Sequence, residues 1–306
     1  MDKFLLEQEN KIIRLVEERG VAAFPYKNII SNILKYCQFQ SKELKPNDKI
    51  KFSIPNSLTS KIDFVKDLKI NVFIEDGENF AYKTGGGNLE VKMSDKIING
   101  KYSSGTINIY GFSFYGKIYD RTILNSLYHE LNHFYECWQE LIKNGNMNTF
   151  AFSSKRSKVE INSLPSPYKE KINLIIYRLF SNTELNALIS SVYGDLESIK
   201  SERLNFHIDI KITQAYDLYL YIKENLNKII YFLENNPQYI KPFFNELDLN
   251  NIKINPYYKN ERGYLKEFKR KTNFQLKLLL KGIGKVASLY YDNKEVPEDN
   301  FNIKIN

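Results

Sequence analysis

The chain has 306 residues, 42% of them hydrophobic, enough for one large domain or two modest ones with a real core. Basic residues outnumber acidic ones 44 to 36, giving a net charge of +8, and the two cysteines, Cys37 and Cys137, have no metal or redox spacing. No stretch approaches the roughly 18 apolar residues of a membrane span, and the start, Met1-Asp2-Lys3-Phe4-Leu5-Leu6-Glu7, lacks a basic segment followed by an apolar run, so no signal peptide, no membrane partner and a cytoplasmic or otherwise intracellular location are expected.

Residues 2–19 read as a helix with Phe4, Leu5, Ile12, Ile13 and Val16 on one side, and a second short helix is expected over Lys27–Tyr36. The character then changes. Val72-Phe73-Ile74 and Phe80-Ala81-Tyr82 flank Asp76-Gly77, a hairpin signal, and Asn99-Gly100 is a second turn of that kind. Leu89, Val91 and Met93 alternate with polar residues, as do Ile107 and Ile109 with Thr106, Asn108 and Tyr110. After Gly111 the aromatics Phe112 and Phe114 resume in the opposite phase, which reads as a β-bulge. Thr84-Gly85-Gly86-Gly87 is not followed by the Lys-Ser or Lys-Thr of a phosphate loop and reads as a flexible turn or a flap. Residues 49–116 thus predict about five strands, mostly antiparallel.

From Asp120 the pattern is helical, with further helices near 168–180, 183–200, 212–235 and 260–291. Pro237 and Pro242 interrupt the long run, and the tail from Asn293 is polar. The expected organisation is a helical segment over 1–48, a mixed catalytic domain over 49–200 and a helical subdomain over 201–306. Lys266, Lys269, Arg270, Lys271, Lys277, Lys281 and Lys285 form the densest basic cluster, able to hold an anionic partner such as nucleic acid; on a Lys-rich chain the plainer reading is a solvated helix face.

The segment Asp120–Lys143 contains neither Pro nor Gly, and Asp120 is a suitable N-cap. Ile123, Leu124, Leu127, Leu131, Phe134, Trp138, Leu141 and Ile142 form one broad stripe. Thr122, Asn125, Ser126, His129, His133, Glu136 and Glu140 form the facing one. Within it lies His129-Glu130-Leu131-Asn132-His133, an H-E-x-x-H pattern that uses two of the three histidines in the chain. Two histidines four residues apart sit one turn apart on one helical face, so both imidazoles can reach one zinc ion. The intervening glutamate is close enough to handle protons for a water activated there.

A catalytic zinc takes three protein ligands and keeps a position open. A third histidine in the extended pattern H-E-x-x-H-x-x-G-x-x-H is absent, because its positions hold Glu136 and Gln139. Glu136 itself is about 10 Å of helix rise from His129, too far to share the ion. Another source is a second helix opened by the cap residues Ser181-Asn182-Thr183, with Glu184 in its first turn and the small Ala187 one turn on, where another helix can approach closely. Glu160, Asp195, Glu197, Glu202 and His207 are the other candidates for that third place.

With these residues the chain resembles the zincin metallopeptidases, in particular the gluzincin, thermolysin-like branch. His-Glu-Leu-Asn-His is close to the His-Glu-Leu-Thr-His common there, and the resemblance covers roughly residues 70–195. It implies an α+β, zincin-like fold in which an antiparallel-rich twisted sheet precedes the active-site helix and an edge strand, 88–93 or 105–110, pairs with extended peptide substrate. It implies a Zn2+ ion held by His129, His133 and Glu184, with Glu130 as general base in peptide-bond hydrolysis, most simply as an endopeptidase. His207 and Tyr193 are the candidates to stabilise the oxyanion. The branch often carries Asp four residues after the ligand Glu; here that position is Leu188, so another group must orient the histidine ring. Two other readings stand beside it. One is a catalytically silent zincin-like structural or binding protein. The other is a nucleic-acid-associated protease recruited through the basic helices.

Overall fold

Alternating burial is what builds the sheet. In β2 (Val65–Asp76), Leu68, Ile70, Val72 and Ile74 point inward and are buried, while Lys66, Asp67 and Lys69 are exposed. The computed structural model describes residues 23–77, 86–90, 102–144, 161–199, 210–250 and 252–291. The expected helix over 2–19, Phe80–Tyr82, Val91, Met93, Asn99-Gly100, Glu160, Glu202, His207 and the tail from Asn293 lie outside these residues.

The described residues form a mixed α+β fold, mostly helical, with one sheet. By contact the chain divides into two compact units, one of residues 18–147 and 187–209 and one of residues 1–17, 148–186 and 210–306. The sheet belongs to the first. Its order is β1 (Lys49–Ser53), β2, β4 (Tyr102–Phe114), β3 (Gly86–Glu90), with β5 (Lys117–Ile118) paired to the end of β4. The pairings β1–β2, β3–β4 and β4–β5 are antiparallel, as the sequence leads one to expect, but the longest pairing, β2–β4, is parallel. This corrects the hairpin read at Asp76-Gly77. Residues 71–75 of β2 already have β1 on one side and β4 on the other, so no free edge is left for Phe80–Tyr82. Gly86 and Gly87 are likewise strand residues opposite Tyr110 and Ile109, not a turn.

The bulge at Gly111 is absent too. β2 and β4 keep one register from Val65↔Tyr102 through Asp76↔Ser113. Gly105, Ile107, Ile109, Gly111 and Ser113 are all buried on one continuous inner face, whereas Tyr110 and Phe114 are on the outer face, 41% and 46% exposed. The aromatics misled because the outer face carries Tyr110 and Phe114, while the inner face interrupts its Ile107 and Ile109 with the small residues Gly105, Gly111 and Ser113. The reason for the small ones is a helix, α3 (Asp120–Asn144), which packs on β3 and β4. A Cβ at Gly105 would run into the Phe134 ring, and one at Gly111 into Ile123 Cδ1.

Helix α1 (Lys27–Gln40) runs one turn further than expected and buries Ile30, Ile33, Leu34 and Cys37. Its Gln38 amide donates to both Asp120 carboxylate oxygens, at 2.9 and 3.0 Å, at the first residue of α3. A one-turn helix, α2 (Asn56–Thr59), precedes β2. Cys37 and Cys137 are both buried free thiols, and burial pushes the Cys37 thiol up to about 12, so it stays protonated and inert at neutral pH.

The other unit is helical. It holds α4 (Ser166–Ile175), which continues into a π-helical turn, Ile176–Phe180, and then α6 (Gln214–Asn235), α7 (Ile240–Leu249) and α8 (Glu261–Tyr290). α6 and α8 pack together, burying Ile222, Leu226, Ile229 and Leu233 of the first and Leu276, Leu279, Ile283 and Val286 of the second. Phe268 of α8 meets Phe180 and Phe243 edge-on. Pro237 opens a short 3-10 turn between α6 and α7, while Pro242 sits in the first turn of α7, where no backbone donor is lost. Glu246 of α7 accepts the backbone N–H groups of Asn162 and Ser163, tying down the end of the 161–165 segment. On α8, Lys266, Arg270, Lys277, Lys281 and Lys285 are exposed, and Arg270 is paired with Glu267. Among the described residues no helix is long and apolar enough to cross a membrane.

Between these elements runs α5 (Asn182–Ile199), an unbroken helix; the division of the chain falls within it, after Asn186.

Candidate metal centre

Helix α3 is amphipathic in sequence, yet in the fold both of its faces are covered. Thr122, Asn125, Ser126, His133 and Glu136 on its polar side are all less than 9% exposed. The body of α5 lies against Arg121, Leu124, Asn125 and Tyr128. Asp195, fully buried, accepts from the Arg121 guanidinium and from Asn125 Nδ2 at 2.8 Å. Burial alone would lower the Arg121 pKa, but the Asp195 charge and hydrogen bond outweigh it and hold the guanidinium above its ordinary value. Tyr193 packs its ring 5.0 Å from that of Tyr128. The polar stripe of α3 is therefore an internal, hydrogen-bonded seam and not a solvent face.

Close approach of the two helices depends on small residues. Ala187, Ser190 and Ser191 are buried on α5. At Gly194 an added Cβ would lie 2.7 Å from the backbone nitrogen of Asn125 and 2.8 Å from the carbonyl carbon of Leu124. Both neighbours are backbone, which cannot rotate aside. Gly194→Ala is therefore expected to push the helices apart and lower stability by about 1–3 kcal/mol, the usual cost of overpacking, despite alanine's better helix propensity. Urea or thermal unfolding of the variant reads this directly. An unchanged midpoint would mean that the seam has room the geometry does not suggest.

At the N-terminal end of α5 the seam meets the histidines. His129 is partly exposed and His133 buried; their rings are 4.6 Å apart and nearly perpendicular, with the two Nε2 atoms 3.1 Å from each other. Glu184, 9% exposed, stands in the first turn of α5. One donor atom from each of His129, His133 and Glu184 falls within 4.8 Å of the others. At Zn–N distances of about 2.0–2.1 Å, two ligands of a tetrahedral ion are about 3.3 Å apart, so the Nε2 separation is that of neighbouring ligands. The same distance would also suit a hydrogen bond between one protonated and one bare ring nitrogen. Two neutral nitrogens and one carboxylate fit a borderline ion such as Zn2+.

Glu184 stands at the start of α5 in a capping sequence. Ser181-Asn182-Thr183-Glu184 has the S-x-x-E form of a capping box, in which the glutamate ordinarily folds back over the helix end. Ser181 plays its part: its hydroxyl accepts from Glu184 N–H at 3.4 Å and its carbonyl from Leu185 N–H at 3.0 Å. The Glu184 carboxylate instead takes a hydrogen bond from Arg178 Nη1, 3.3 Å from Oε2, and lies beside the histidines.

The other residues singled out in the sequence fall as follows. Glu130 is 5% exposed on the turn between the two histidines. Glu136 is 4% exposed and outside the donor group. Asp195 belongs to the Arg121–Asn125 seam, Leu188 is buried, and Tyr193 packs on Tyr128. His207, with Glu160 and Glu202, is outside the described residues. Arg178, Gly194 and the Asp195 seam were not anticipated. The one trace of them in the sequence is the run of small residues Ala187, Ser190, Ser191 and Gly194, spaced to line one face of α5. Compared with protein families, with curated proteins and with solved structures, the chain matches none.

Proposed function

We propose that the chain is a zinc-dependent metallopeptidase that hydrolyses peptide bonds. The observation that carries this is the meeting of His129 and His133, one turn apart on α3, with Glu184 from a second helix; Glu130, next to His129 in the chain, is buried. His129 and His133 would hold the ion through Nε2, and Glu184 through a carboxylate oxygen. When bound, zinc supplies a Lewis acid that polarises a carbonyl and acidifies a water. Glu130 does the proton work: its carboxylate accepts a proton from the attacking water and returns it to the leaving amine.

The sheet supports a peptide substrate. β3 is an edge strand among the described residues, antiparallel to β4, and α3 packs against it. An extended chain laid along that edge would gain main-chain hydrogen bonds and run past the histidine helix. β4 is interior, so of the two strands considered from the sequence only the one beginning at Gly86 offers an edge.

The test is metal analysis of the purified chain together with digestion of a panel of unfolded proteins. Near-stoichiometric zinc is expected, with cleavage that a chelator stops and added zinc restores. Glu184→Ala should lose most of the metal. Absence of zinc and of any chelator-sensitive cleavage would refute the proposal. Zinc bound at the three residues with no turnover on any substrate would favour the silent zincin-like fold.

A further inference from the structure

We infer that Arg178 is a positioning residue of the metal centre, clamping one oxygen of Glu184 so that the other is presented to the ion. The inference rests on the metal-centre reading and adds to it a residue on which the histidine motif has no bearing.

A carboxylate has two oxygens and can rotate. Left alone beside a metal it can bind through one oxygen, through both, or turn away. Groups that hydrogen-bond a ligating carboxylate remove this freedom, and guanidinium is well suited because its fork of N–H donors is planar and always charged. Here Arg178 Nη1 donates to Glu184 Oε2 at 3.3 Å. A carboxylate held at one oxygen loses its free rotation, and a ligand that binds through one oxygen keeps the fourth position of a tetrahedral ion for water.

The backbone around Arg178 supports a built feature. The segment Ile176–Phe180 is a π-helical turn. Such turns hold one residue more per turn than an α-helix and recur at functional sites. Ser181 then breaks to an extended conformation, φ −88° and ψ 109°, before α5 begins. Across this break Arg178 reaches Glu184 in the first turn of α5, six residues on. Leu179 and Ile176 are buried and anchor the turn, while the Arg178 side chain is 34% exposed and its guanidinium carbon sits 4.9 Å over the Tyr177 ring. A guanidinium braced on an aromatic ring and aimed at a carboxylate has little freedom of its own. As a surface ion pair it would contribute little to stability. As the partner of a metal ligand the same contact acts on metal affinity.

The experiment measures zinc affinity of the full chain by chelator competition, and the visible d–d spectrum of the Co2+-loaded protein, for wild type, Arg178→Gln and Arg178→Lys. Arg178→Gln should bind zinc roughly 10–100-fold more weakly, the usual loss when a group supporting a ligand is removed. Its cobalt spectrum should change in intensity and shape as Glu184 changes its mode of binding. Arg178→Lys keeps a charged donor and should recover most of the affinity and the wild-type spectrum. Unfolding of the zinc-free proteins checks that each variant is folded; should Arg178→Gln not be, Arg178→Met takes its place in the same comparison with the same expected outcomes. Unchanged affinity in Arg178→Gln overturns it, as does raised affinity, which would mean that Arg178 competes with the ion. Weaker binding with an unaltered cobalt spectrum also overturns it, by marking a general structural loss. If wild type binds neither zinc nor cobalt, it is the metal-centre reading that fails.

Discussion

Glu130→Gln is expected to abolish peptide hydrolysis while the protein stays folded and keeps its zinc. The amide is nearly isosteric with the carboxylate, so a side chain that is 5% exposed can be replaced without opening a cavity. Glu130 is not one of the three donors that meet, so metal content should hold. What the amide cannot do is accept a proton from water at neutral pH. Loss of general-base catalysis is typically a factor of about 10²–10⁴, and the deficit should be larger where the same group also delivers the proton to the amine. The measurement is turnover of a cleaved protein or peptide under saturating zinc, with metal content determined on the same sample. Glu136→Gln is the control: Glu136 is as buried, on the same helix, and outside the donor group. It should keep turnover. Equal cleavage by wild type and Glu130→Gln would remove Glu130 from the chemistry, and equal loss in both variants would point to helix damage.

The histidine helix was legible because its signal is local. H-E-x-x-H needs nothing but the helical repeat to bring its side chains to one face, and the absence of Pro and Gly over Asp120–Lys143 is enough to make the helix. The later helices were legible for the same reason: 183–200 and 260–291 became Asn182–Ile199 and Glu261–Tyr290. What failed were the turn at Asp76-Gly77 and the bulge at Gly111, which depend on distant partners. The hairpin at Asp76-Gly77 had good turn residues, but β2 found β4 instead, thirty-seven positions along the chain from residue to partner, as in Val72↔Ile109. Turn chemistry cannot announce a parallel pairing, whose partner lies beyond a crossover. The bulge at Gly111 is absent because Phe112 and Phe114 belong to the opposite face, while the inner face gives way to α3 at Gly105 and Gly111, a demand set by packing and invisible in strand periodicity.

The site divides in the same way. Glu184 stood out in the sequence as an acidic residue in a capped first turn, and the fold brings it to the histidines. Arg178 did not stand out, because its role depends on a π-helical turn, for which neither apolar spacing nor capping residues give a signal. The polar stripe of α3 looked like a solvent face because buried and exposed polar residues read alike until their partners are known. Asp195, seventy residues from Asn125, is such a partner.

His133→Ala is expected to remove most of the bound zinc and, with it, the stability that zinc confers. His133 is the more buried of the two histidines, at 8% exposure, and its Nε2 is 3.1 Å from that of His129. Alanine cannot ligate, and the two donors left cannot complete the three-ligand set that a catalytic zinc ordinarily takes. Alanine is also a better helix former than histidine, so α3 itself should persist. The two effects separate cleanly. Without metal, wild type and variant should unfold within a few degrees of one another. With zinc at about a hundred times its dissociation constant, a protein that binds only when folded gains about 2.7 kcal/mol, and a domain of this size should show that as a higher unfolding temperature. Wild type should make this shift and His133→Ala should not. A zinc-dependent shift of equal size in both would mean that the ion binds elsewhere, and the centre on α3 and α5 would then have to be given up. No shift in either, with near-stoichiometric zinc by elemental analysis of wild type, would mean that the unfolded chain binds the ion as well as the folded one does, and a centre built by the fold would be refuted.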